Sequence, residues 1–288
     1  MPRTSGGACG CIALATDGRA GEIRRVSLPT FVTDDPFDAP GTVTLGEDAA
    51  HHMRVRRLET GVRVGLLDGA GTRGEGVLTQ LAKRHAVVSV EQAEQVEPAP
   101  AVHLLLPVAD KDRMLWLAEK ATELELASWR PVLYRRSKHV NPRGEGPTFQ
   151  QKVRGRMAAA LEQSRGAWLP VLFPDATVEH AIAASAPGAR VVLEQGGASL
   201  FSALTPLLAE ARSRGAATPA VTIAVGPEGG FEPTELEALS ASGFVPVRLG
   251  RSILRFESAA VAGIAAVRAM LDLVGAPAAG VADLNGVT

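Results

Sequence analysis

The sequence predicts an α/β protein in which a small β-barrel precedes a parallel sheet flanked by helices. Two observations lead to this prediction. Between residues 25 and 97, short apolar runs follow one another closely and are separated by turn residues, as in a small barrel. After Ala101, nearly continuous apolar runs alternate with stretches of helical character, as in a parallel sheet that is buried on both faces.

The first region contains four predicted strands, at Val43–Leu45, Val62–Leu67, Gly76–Leu81 and Ala86–Val90. A short helix is predicted to open at Ala50–Met53. The segment Glu97–Pro100 ends the region as a linker, because its two prolines disfavour both helix and central strand.

The second region contains five predicted strands, at Val102–Val108, Arg130–Tyr134, Arg190–Leu193, Ala220–Val225 and Val245–Leu249. Helices are predicted over residues 111–126, 149–164, 177–185, 199–213, 233–241 and 257–273. Strands that alternate with helices form parallel sheets, and ligands bind at the carboxyl ends of such strands. We therefore expect domains at 25–97 and 101–274, between a disordered leader at 1–24 and a flexible tail at 275–288.

Composition narrows the class of protein. The chain has 288 residues, 46% of them apolar, and a formal net charge of −1, which is ordinary for a soluble globular protein. This balance excludes a generally basic nucleic-acid binder, although a local basic patch still permits RNA recognition. The longest charge-free apolar run outside loops, Ala259–Val267, is far shorter than the roughly 20 residues that span a bilayer. Cys9 and Cys11 are the only cysteines, so we expect a cytoplasmic protein without a structural zinc site.

Two glycine-rich segments carry different predictions. Gly69–Gly74 matches the spacing G-x-G-x-x-G, but a strand rather than a helix is predicted to follow it, and Asp68-Gly69 is itself a hairpin signal. We interpret this segment as a turn of the barrel. Gly226–Phe231 instead lies between a buried strand and Pro233, which suits the first position of a helix. This order of strand, glycine loop and helix predicts a ligand site at the carboxyl edge of the sheet.

The segment Leu249–Ala259 also lies between a strand and a helix. Gly250 ends the strand, and Ile253 and Leu254 are apolar residues in a predicted loop, where solvent favours polar side chains. Either protein or a ligand ring is therefore expected to cover them. Two such loops after separate strands predict a single cleft.

Together these loops resemble the SPOUT-class family of small-subunit ribosomal RNA methyltransferases that make N3-methyluridine in 16S rRNA. The resemblance also includes Lys120–Leu124, Arg136-Ser137 and Glu162–Arg165, and it covers residues 26–273. The chain departs from the family pattern at Glu125, the Arg165-Gly166 pair, Phe256 and Ser258.

The resemblance implies a PUA-like barrel followed by a SPOUT domain with a carboxyl-terminal trefoil knot. It implies S-adenosylmethionine as the cofactor, no metal, and 16S rRNA of the small ribosomal subunit as the substrate. The residues that it assigns to the cofactor are Leu193, Glu194, Gly196, Val225, Gly226, Pro227, Glu228, Gly229, Gly230, Phe231, Leu249, Gly250, Ser252, Ile253, Leu254 and Arg255.

Methyl transfer to N3 of uracil requires alignment of the base and removal of the N3 proton, which points to carboxylates and arginines. The catalytic candidates are Glu123, Arg136, Glu162, Arg255 and Glu257. Simpler roles stay open for three of them. Glu123 can pair with Lys120 along a helix, Glu257 can act electrostatically at the start of the last helix, and Arg136 can hold a loop carbonyl.

RNA contacts are expected from two basic runs, which are Arg54, Arg56 and Arg57 in the barrel and Arg135, Arg136, Lys138 and His139 in the second domain. A homodimer is expected because small and apolar residues cover nearly the whole circumference of the last helix. Two alternative functions stay open. One is a SPOUT enzyme that acts on tRNA or large-subunit rRNA, and the other is a non-catalytic, PUA-like RNA-binding assembly factor.

Overall fold

The computed structural model describes residues 28–137, 144–215 and 219–275, and two β-sheets organise them. A five-stranded, barrel-like sheet comes first in the chain, and a six-stranded sheet flanked by helices follows. The predicted leader, residues 276–288 of the predicted tail, and Lys138 and His139 lie outside the described residues. Within the described ranges, none of the helices combines the length and the hydropathy that crossing a membrane requires.

The five-stranded sheet contains β1 to β5 and one helix. Their bounds are β1 Thr30–Val32, β2 Gly41–Leu45, α1 Glu47–Val55, β3 Arg63–Leu67, β4 Thr72–Leu81 and β5 Ala86–Gln95. The strand order is β1-β3-β4-β5-β2, in which β1 runs parallel to β3 and the other neighbours are antiparallel. The sheet closes over an apolar core in which Phe31, Leu66, Leu78 and Val88 are fully buried.

The six-stranded sheet contains the remaining strands and helices. Their bounds are β6 Val102–Pro107, α2 Lys111–Glu123, β7 Ser128–Val132, α3 Gly146–Ser164, β8 Val171–Leu172, α4 Val178–Ala183, β9 Ala189–Ser199, α5 Leu200–Ser213, β10 Val221–Val225, α6 Pro233–Ala241, β11 Val245–Arg248 and α7 Phe256–Gly275. The strand order is β11-β9-β10-β6-β7-β8, and every neighbouring pair is parallel.

Helices cover both faces of this sheet. Buried residues of α2, α3, α5 and α7 form one core on the first face, and those of α4 and α6 form another core on the second. All five residues of the central strand β10 are buried, as a strand between two helical layers requires. The predicted parallel sheet between helices is therefore confirmed.

Some strands differ from the sequence prediction for identifiable reasons. The strands β1 and β8 were not predicted, because runs of three and two residues carry no readable period. Strand β9 continues to Ser199, beyond the predicted end at Leu193. Its far part is unlike a strand in composition, but it stays paired with β11 across a register shift between Pro246 and Val247.

The Gly69–Gly74 segment connects the two sheets. Its first three residues form a turn and its last three begin β4, which confirms that the segment does not start a helix. The Gly71 N–H donates to the Ala167 carbonyl at 3.0 Å, and the Leu169 N–H donates to the Gly69 carbonyl at 2.8 Å. Trp168 lies between them, and its Nε1 donates to the Val96 carbonyl at 2.9 Å. The chain after α3 is thus tied to the barrel-like sheet by main-chain hydrogen bonds, and we call residues 69–71 and 167–169 the junction.

Candidate functional site

Several loops meet at the carboxyl edge of the six-stranded sheet. Because the strands are parallel, the segments that follow β6, β7, β10 and β11 all emerge at this edge. These segments are residues 108–110, 133–137, 226–232 and 249–255. They include both of the loops in which the sequence predicted a ligand site.

A cavity of about 250 Å³ opens among these loops at the start of α7. It is lined by Val108, Ala109, Asp110, Arg113, Arg136, Ser137, Pro227, Glu228 and Phe256. Two guanidinium groups and two carboxylates of this lining offset one another in formal charge. The other lining residues are apolar except for Ser137, so the cavity combines apolar walls with a small set of polar groups, as ligand sites do.

Arg136 lies in a 3-10 turn, Arg135–Ser137, that follows β7. Its Nε donates to the Glu232 carboxylate at 2.7 Å, and its Nη1 donates to the Gly229 carbonyl at 2.7 Å. Arg136 therefore holds the glycine loop, as the simpler interpretation of this residue anticipated. The same two contacts hold its guanidinium at the cavity wall.

Arg113 also lines the cavity and lies in the first turn of α2. The N-cap residue Asp110 fixes this turn by accepting the N–H groups of Asp112 and Arg113. The Arg113 guanidinium forms an ion pair with Glu228, and its Nε lies 3.9 Å from Oε1 of Glu257. Glu257 is 9% exposed, and its Oε2 has no hydrogen-bond partner among the described residues. One arginine thus faces two carboxylates, one from the glycine loop and one from the first turn of α7.

The Gly226–Phe231 loop follows β10, whose last residue, Val225, is buried in the core. Phe231 is also buried and packs edge-on against Tyr134, with the ring centroids 5.1 Å apart. A Cβ at Gly226 would lie 2.7 Å from the Phe231 ring, so glycine is required there for packing. Gly230 has φ +74°, a conformation that L-residues rarely adopt.

Two other segments predicted to bind the cofactor, residues 193–196 of β9 and residues 249–255 after β11, lie side by side. Gln195, near the far end of β9, donates from Nε2 to the Arg251 carbonyl at 2.8 Å and links the two segments. A Cβ at Gly196 or at Gly250 would meet nothing within 4 Å. Ile253 is 89% exposed and Leu254 42% exposed, so the described residues leave the two apolar side chains uncovered.

The remaining predicted residues of these segments differ in exposure. Leu193 and Leu249 are partly buried and pack against the core. Glu194 is partly buried, whereas Ser252 and Arg255 are exposed at the carboxyl edge. These segments therefore bring aliphatic side chains, the carboxylate of Glu194 and the guanidinium of Arg255 to the carboxyl edge.

Two carboxylates predicted as catalytic, Glu123 and Glu162, form contacts with other parts of the protein. Glu123 accepts from the Lys120 ammonium at 2.8 Å, as its simpler interpretation anticipated. Glu162 lies on α3 and accepts the N–H of Val32, in strand β1, at 3.0 Å. Burial raises the pKa of Glu162, although the hydrogen bond from Val32 and the positive charges of His52 and Arg56 oppose this. Glu162 therefore connects α3 to the barrel-like sheet.

The described basic residues of the predicted RNA surface lie in segments attached to both sheets. Arg54, Arg56 and Arg57 are exposed at the end of α1, where Arg54 also donates to the Lys83 carbonyl at 3.0 Å. The Arg135 side chain is exposed, while its N–H donates to the Glu235 carboxylate at 2.8 Å. Among residues 28–137, 144–215 and 219–275, no cluster of three or more His, Cys, Asp or Glu side chains could hold a metal ion.

Asp110, Arg113 and Ser137 are site residues that the sequence prediction did not assign. Asp110 followed by a helical segment is a readable N-cap signal. Nothing local marks Arg113, because its partner Glu228 lies 115 residues away in the chain.

Comparison with known proteins agrees with this arrangement. A family profile described as an RNA methyltransferase domain matches residues 96–268, and one described as an RNA methyltransferase PUA domain matches residues 45–91. Two proteins named ribosomal RNA small subunit methyltransferase E are similar to the chain. The protein from Synechocystis is 28% identical, with 80% of this chain and 74% of that protein covered. The protein from Mycobacterium bovis is 27% identical, with 84% and 91% covered.

Solved structures share the fold. A ribosomal RNA small subunit methyltransferase E from Neisseria gonorrhoeae, bound to S-adenosyl methionine, superposes with a TM-score of 0.73 at 24% identity and covers 84% of this chain and 98% of its own. A methyltransferase from Legionella pneumophila in complex with the same cofactor gives 0.72 at 20% identity, with 85% and 98% covered.

Proposed function

Since the chain belongs to the RNA methyltransferase domain family, we propose that it transfers a methyl group from S-adenosylmethionine to N3 of a specific uridine in 16S rRNA. Support for this substrate comes from the similar proteins, which are named for the small ribosomal subunit. The observation that carries the proposal is the meeting of the two predicted loops, Gly226–Phe231 and Leu249–Ala259, at one edge of the parallel sheet.

The loops at this edge fit the cofactor. Open space beside Gly196 and Gly250 permits close approach of a ligand to the backbone, and exposed Ile253 and Leu254 can cover the face of an adenine ring. These residues, with the Gly226–Phe231 loop, would hold the molecule. When bound, S-adenosylmethionine supplies a methyl group already activated by its sulfonium.

The protein must align the base and assist loss of the N3 proton. A bond forms between N3 and the methyl carbon, the bond from that carbon to sulfur breaks with its electron pair left on sulfur, and the N3 proton passes to a base. We retain Arg136, Arg255 and Glu257 as the candidates for these tasks, because Arg136 and Arg255 lie in segments of the carboxyl edge and Glu257 lies in the first turn of α7, directly after one of them. An arginine beside a uracil carbonyl would stabilise the negative charge that develops when N3 loses its proton.

The proposal assigns RNA binding to exposed basic residues on both sheets. Arg54, Arg56 and Arg57 would contact phosphates from the barrel-like sheet, and Arg135 and Arg136 would do so beside the cleft. The proposal also includes Lys138 and His139, which lie outside the described residues. Affinity for the small subunit should fall as salt rises. Substitution of all three barrel arginines by alanine should weaken RNA binding and leave cofactor binding unchanged.

The proposal also includes a trefoil knot, a cytoplasmic location, a metal-independent reaction, and the division into a PUA-like domain at 25–97 and a SPOUT domain at 101–274.

The proposal further includes a homodimer. Helix α7 packs on β6 and β10, and beside this contact it carries Ala262 and Ala266, which are only partly buried. Sedimentation should show twice the 30.0 kDa chain mass, and Ala262→Arg or Ala266→Arg should shift the protein toward monomer. A wild-type monomer at micromolar concentration would reject the dimer.

The deciding experiment is mass spectrometry of rRNA from a strain that lacks the gene. One methyluridine should disappear from 16S rRNA and return when purified protein and S-adenosylmethionine are added to the small subunits. Unchanged 16S rRNA with loss of a methyl group from tRNA or large-subunit rRNA would reject this substrate. Unchanged RNA of every class would favour the non-catalytic alternative.

A further inference from the structure

The cavity beside Phe256 adjoins the surface that the cofactor proposal uses, and the two share Pro227 and Glu228 of the glycine loop. Its volume, about 250 Å³, lies below the range of about 300–1,000 Å³ that is usual for drug-sized ligands. Val108, Ala109, Pro227 and Phe256 supply its apolar walls. A cavity of this size with apolar walls suits a single planar ring better than a whole nucleoside cofactor.

Ser137 gives the cavity an unused hydrogen-bonding group. The residue is 2% exposed and lines the cavity, and its Oγ has no partner among the described residues. A buried hydroxyl without a partner costs free energy, and native proteins nearly always satisfy such groups. A ligand in the cavity with a carbonyl or N–H at its edge would supply the missing partner.

The charges of the lining select against an anionic ligand. Arg113 is paired with Glu228 and faces Glu257, and Arg136 is paired with Glu232. Phosphate-binding sites present cationic groups in excess, whereas here each guanidinium is already matched by a carboxylate. Both arginines keep further N–H donors, since a guanidinium carries five. These donors suit the neutral carbonyl oxygens of a pyrimidine.

We propose that this cavity receives the uracil ring of the target nucleotide, turned out of the RNA, with Ser137 bonded to the edge of the base and Arg113 facing a ring carbonyl. The inference rests on the proposed function and adds the place where the base binds. Enzymes that modify a base hold it in a snug pocket outside the stack and read its polar edge. Arg113 and Ser137 then become residues that touch the substrate.

The cavity lies next to the proposed cofactor surface, as methyl transfer between two bound reactants requires. Pro227 and Glu228 belong to the glycine loop, and Phe256 directly follows Leu249–Arg255, so the cavity shares two walls with the proposed cofactor surface. A ring in the cavity would therefore lie beside a cofactor held by those loops. Transfer requires this neighbouring placement of the two reactants.

The test compares two buried serines, Ser128 at the start of β7 and Ser137 in the 3-10 turn that follows this strand. Ser137→Ala removes a hydroxyl that has no protein partner, so the thermal midpoint should stay the same or rise. Ser128→Ala is the matched control. Ser128 lies at the opposite end of β7 from the cavity, and its hydroxyl shares a 2.7 Å hydrogen bond with His103. The control should lower the thermal midpoint and leave kcat/KM unchanged.

Activity is measured as methyl transfer to small subunits prepared from the deletion strain, and S-adenosylmethionine affinity is measured by calorimetry. Ser137→Ala should lower kcat/KM for the subunits about fivefold to tenfold, the usual effect of one lost hydrogen bond, with cofactor affinity unchanged. Arg113→Lys, which keeps the charge but loses the planar fork, should lower kcat/KM further.

Three outcomes separate the possibilities. If wild-type protein methylates the subunits and Ser137→Ala does so equally well, the base pocket is rejected while the proposed function stands. If Ser137→Ala lowers cofactor affinity instead, the cavity belongs to the cofactor and the inference is wrong. If wild-type protein methylates no small subunit, the proposed function itself fails.

Discussion

The two glycine-rich loops of the chain look alike in sequence and differ in what surrounds them. At Gly69 and Gly71, an added Cβ would lie 2.6 Å from Leu169 and 2.5 Å from the Trp168 ring. Both glycines have positive φ, so their neighbours and their backbone both require the absence of a side chain. The space beside this loop is filled by the junction between the two sheets.

The loop at Gly226–Phe231 lies at the carboxyl edge. Gly226 is required by the Phe231 ring, but a Cβ at Gly230 would meet only the end of Arg136, at 3.7 Å. The neighbouring Gly196 and Gly250 face open space. Glycine at the junction therefore permits contact between parts of the protein, whereas Gly196, Gly230 and Gly250 at the carboxyl edge leave space for a ligand. Substitutions at the two places should consequently affect different properties, namely stability and cofactor affinity.

The largest expected effect is at the junction. Gly71→Ala combines a φ of +109° with overlap against Trp168, and should lower the free energy of unfolding by about 2–4 kcal/mol. Gly61→Ala is the matched control, because Gly61 also has positive φ but nothing lies within 4 Å of its Cβ position. Urea denaturation of both variants separates the loss of stability caused by overlap with Trp168 from the loss caused by backbone strain at positive φ. Equal losses would show that contact with Trp168 contributes nothing.

Sequence reasoning predicted the sheet better than the site because the two depend on different ranges of interaction. Strand β10 is an uninterrupted apolar run, so its burial between two helical layers follows from its own residues. The far part of β9, Gln195–Ser199, is a strand only because β11 lies beside it. Strand β1 likewise depends on pairing with β3 and on the Glu162 carboxylate.

The same distinction applies to the site. The glycine loops were predicted because strand, loop and helix are contiguous in sequence. Arg113 was missed because a cation in the first turn of a helix is ordinarily solvated, and only the fold brings Glu228 to it. The partnerless hydroxyl of Ser137 is a property of packing, since no pattern in the sequence shows that a serine lacks a hydrogen bond.

The second prediction concerns the carboxyl edge. Gly196→Ala and Gly250→Ala should each weaken S-adenosylmethionine binding about tenfold, because a methyl group would occupy the ligand's space. Neither glycine has positive φ, so the thermal midpoint should not fall, whereas the same substitution at Gly230 would add backbone strain. Calorimetry with Gly155→Ala, on the open face of α3, provides the control. Unchanged affinity in both variants would remove these segments from the cofactor surface.

A third, smaller effect isolates the side chain at the junction. Trp168→Phe removes the 2.9 Å hydrogen bond to the Val96 carbonyl and should cost about 1 kcal/mol of unfolding free energy. The smaller ring also makes room beside Gly71. The double variant Gly71→Ala/Trp168→Phe should therefore lose less stability than the sum of the single variants. Simple additivity in urea denaturation would contradict direct overlap between the two residues.

The smallest expected effect is a pH dependence at Glu162. Burial raises the pKa of this carboxyl, so the native state holds the proton more tightly than the unfolded chain, whose glutamates titrate near pH 4.3. The stability of the wild type should therefore fall as pH rises from about 4 through the raised native value. Glu162→Gln keeps an oxygen that can accept the Val32 N–H and removes the charge, so the variant should equal the wild type near pH 4 and exceed it at pH 7. Urea denaturation between these values measures the difference, and Glu59→Gln, at an exposed loop position, should show none. If the free energy of unfolding of the wild type instead increases relative to that of the Glu162→Gln variant as pH rises, attraction to His52 and Arg56 outweighs burial.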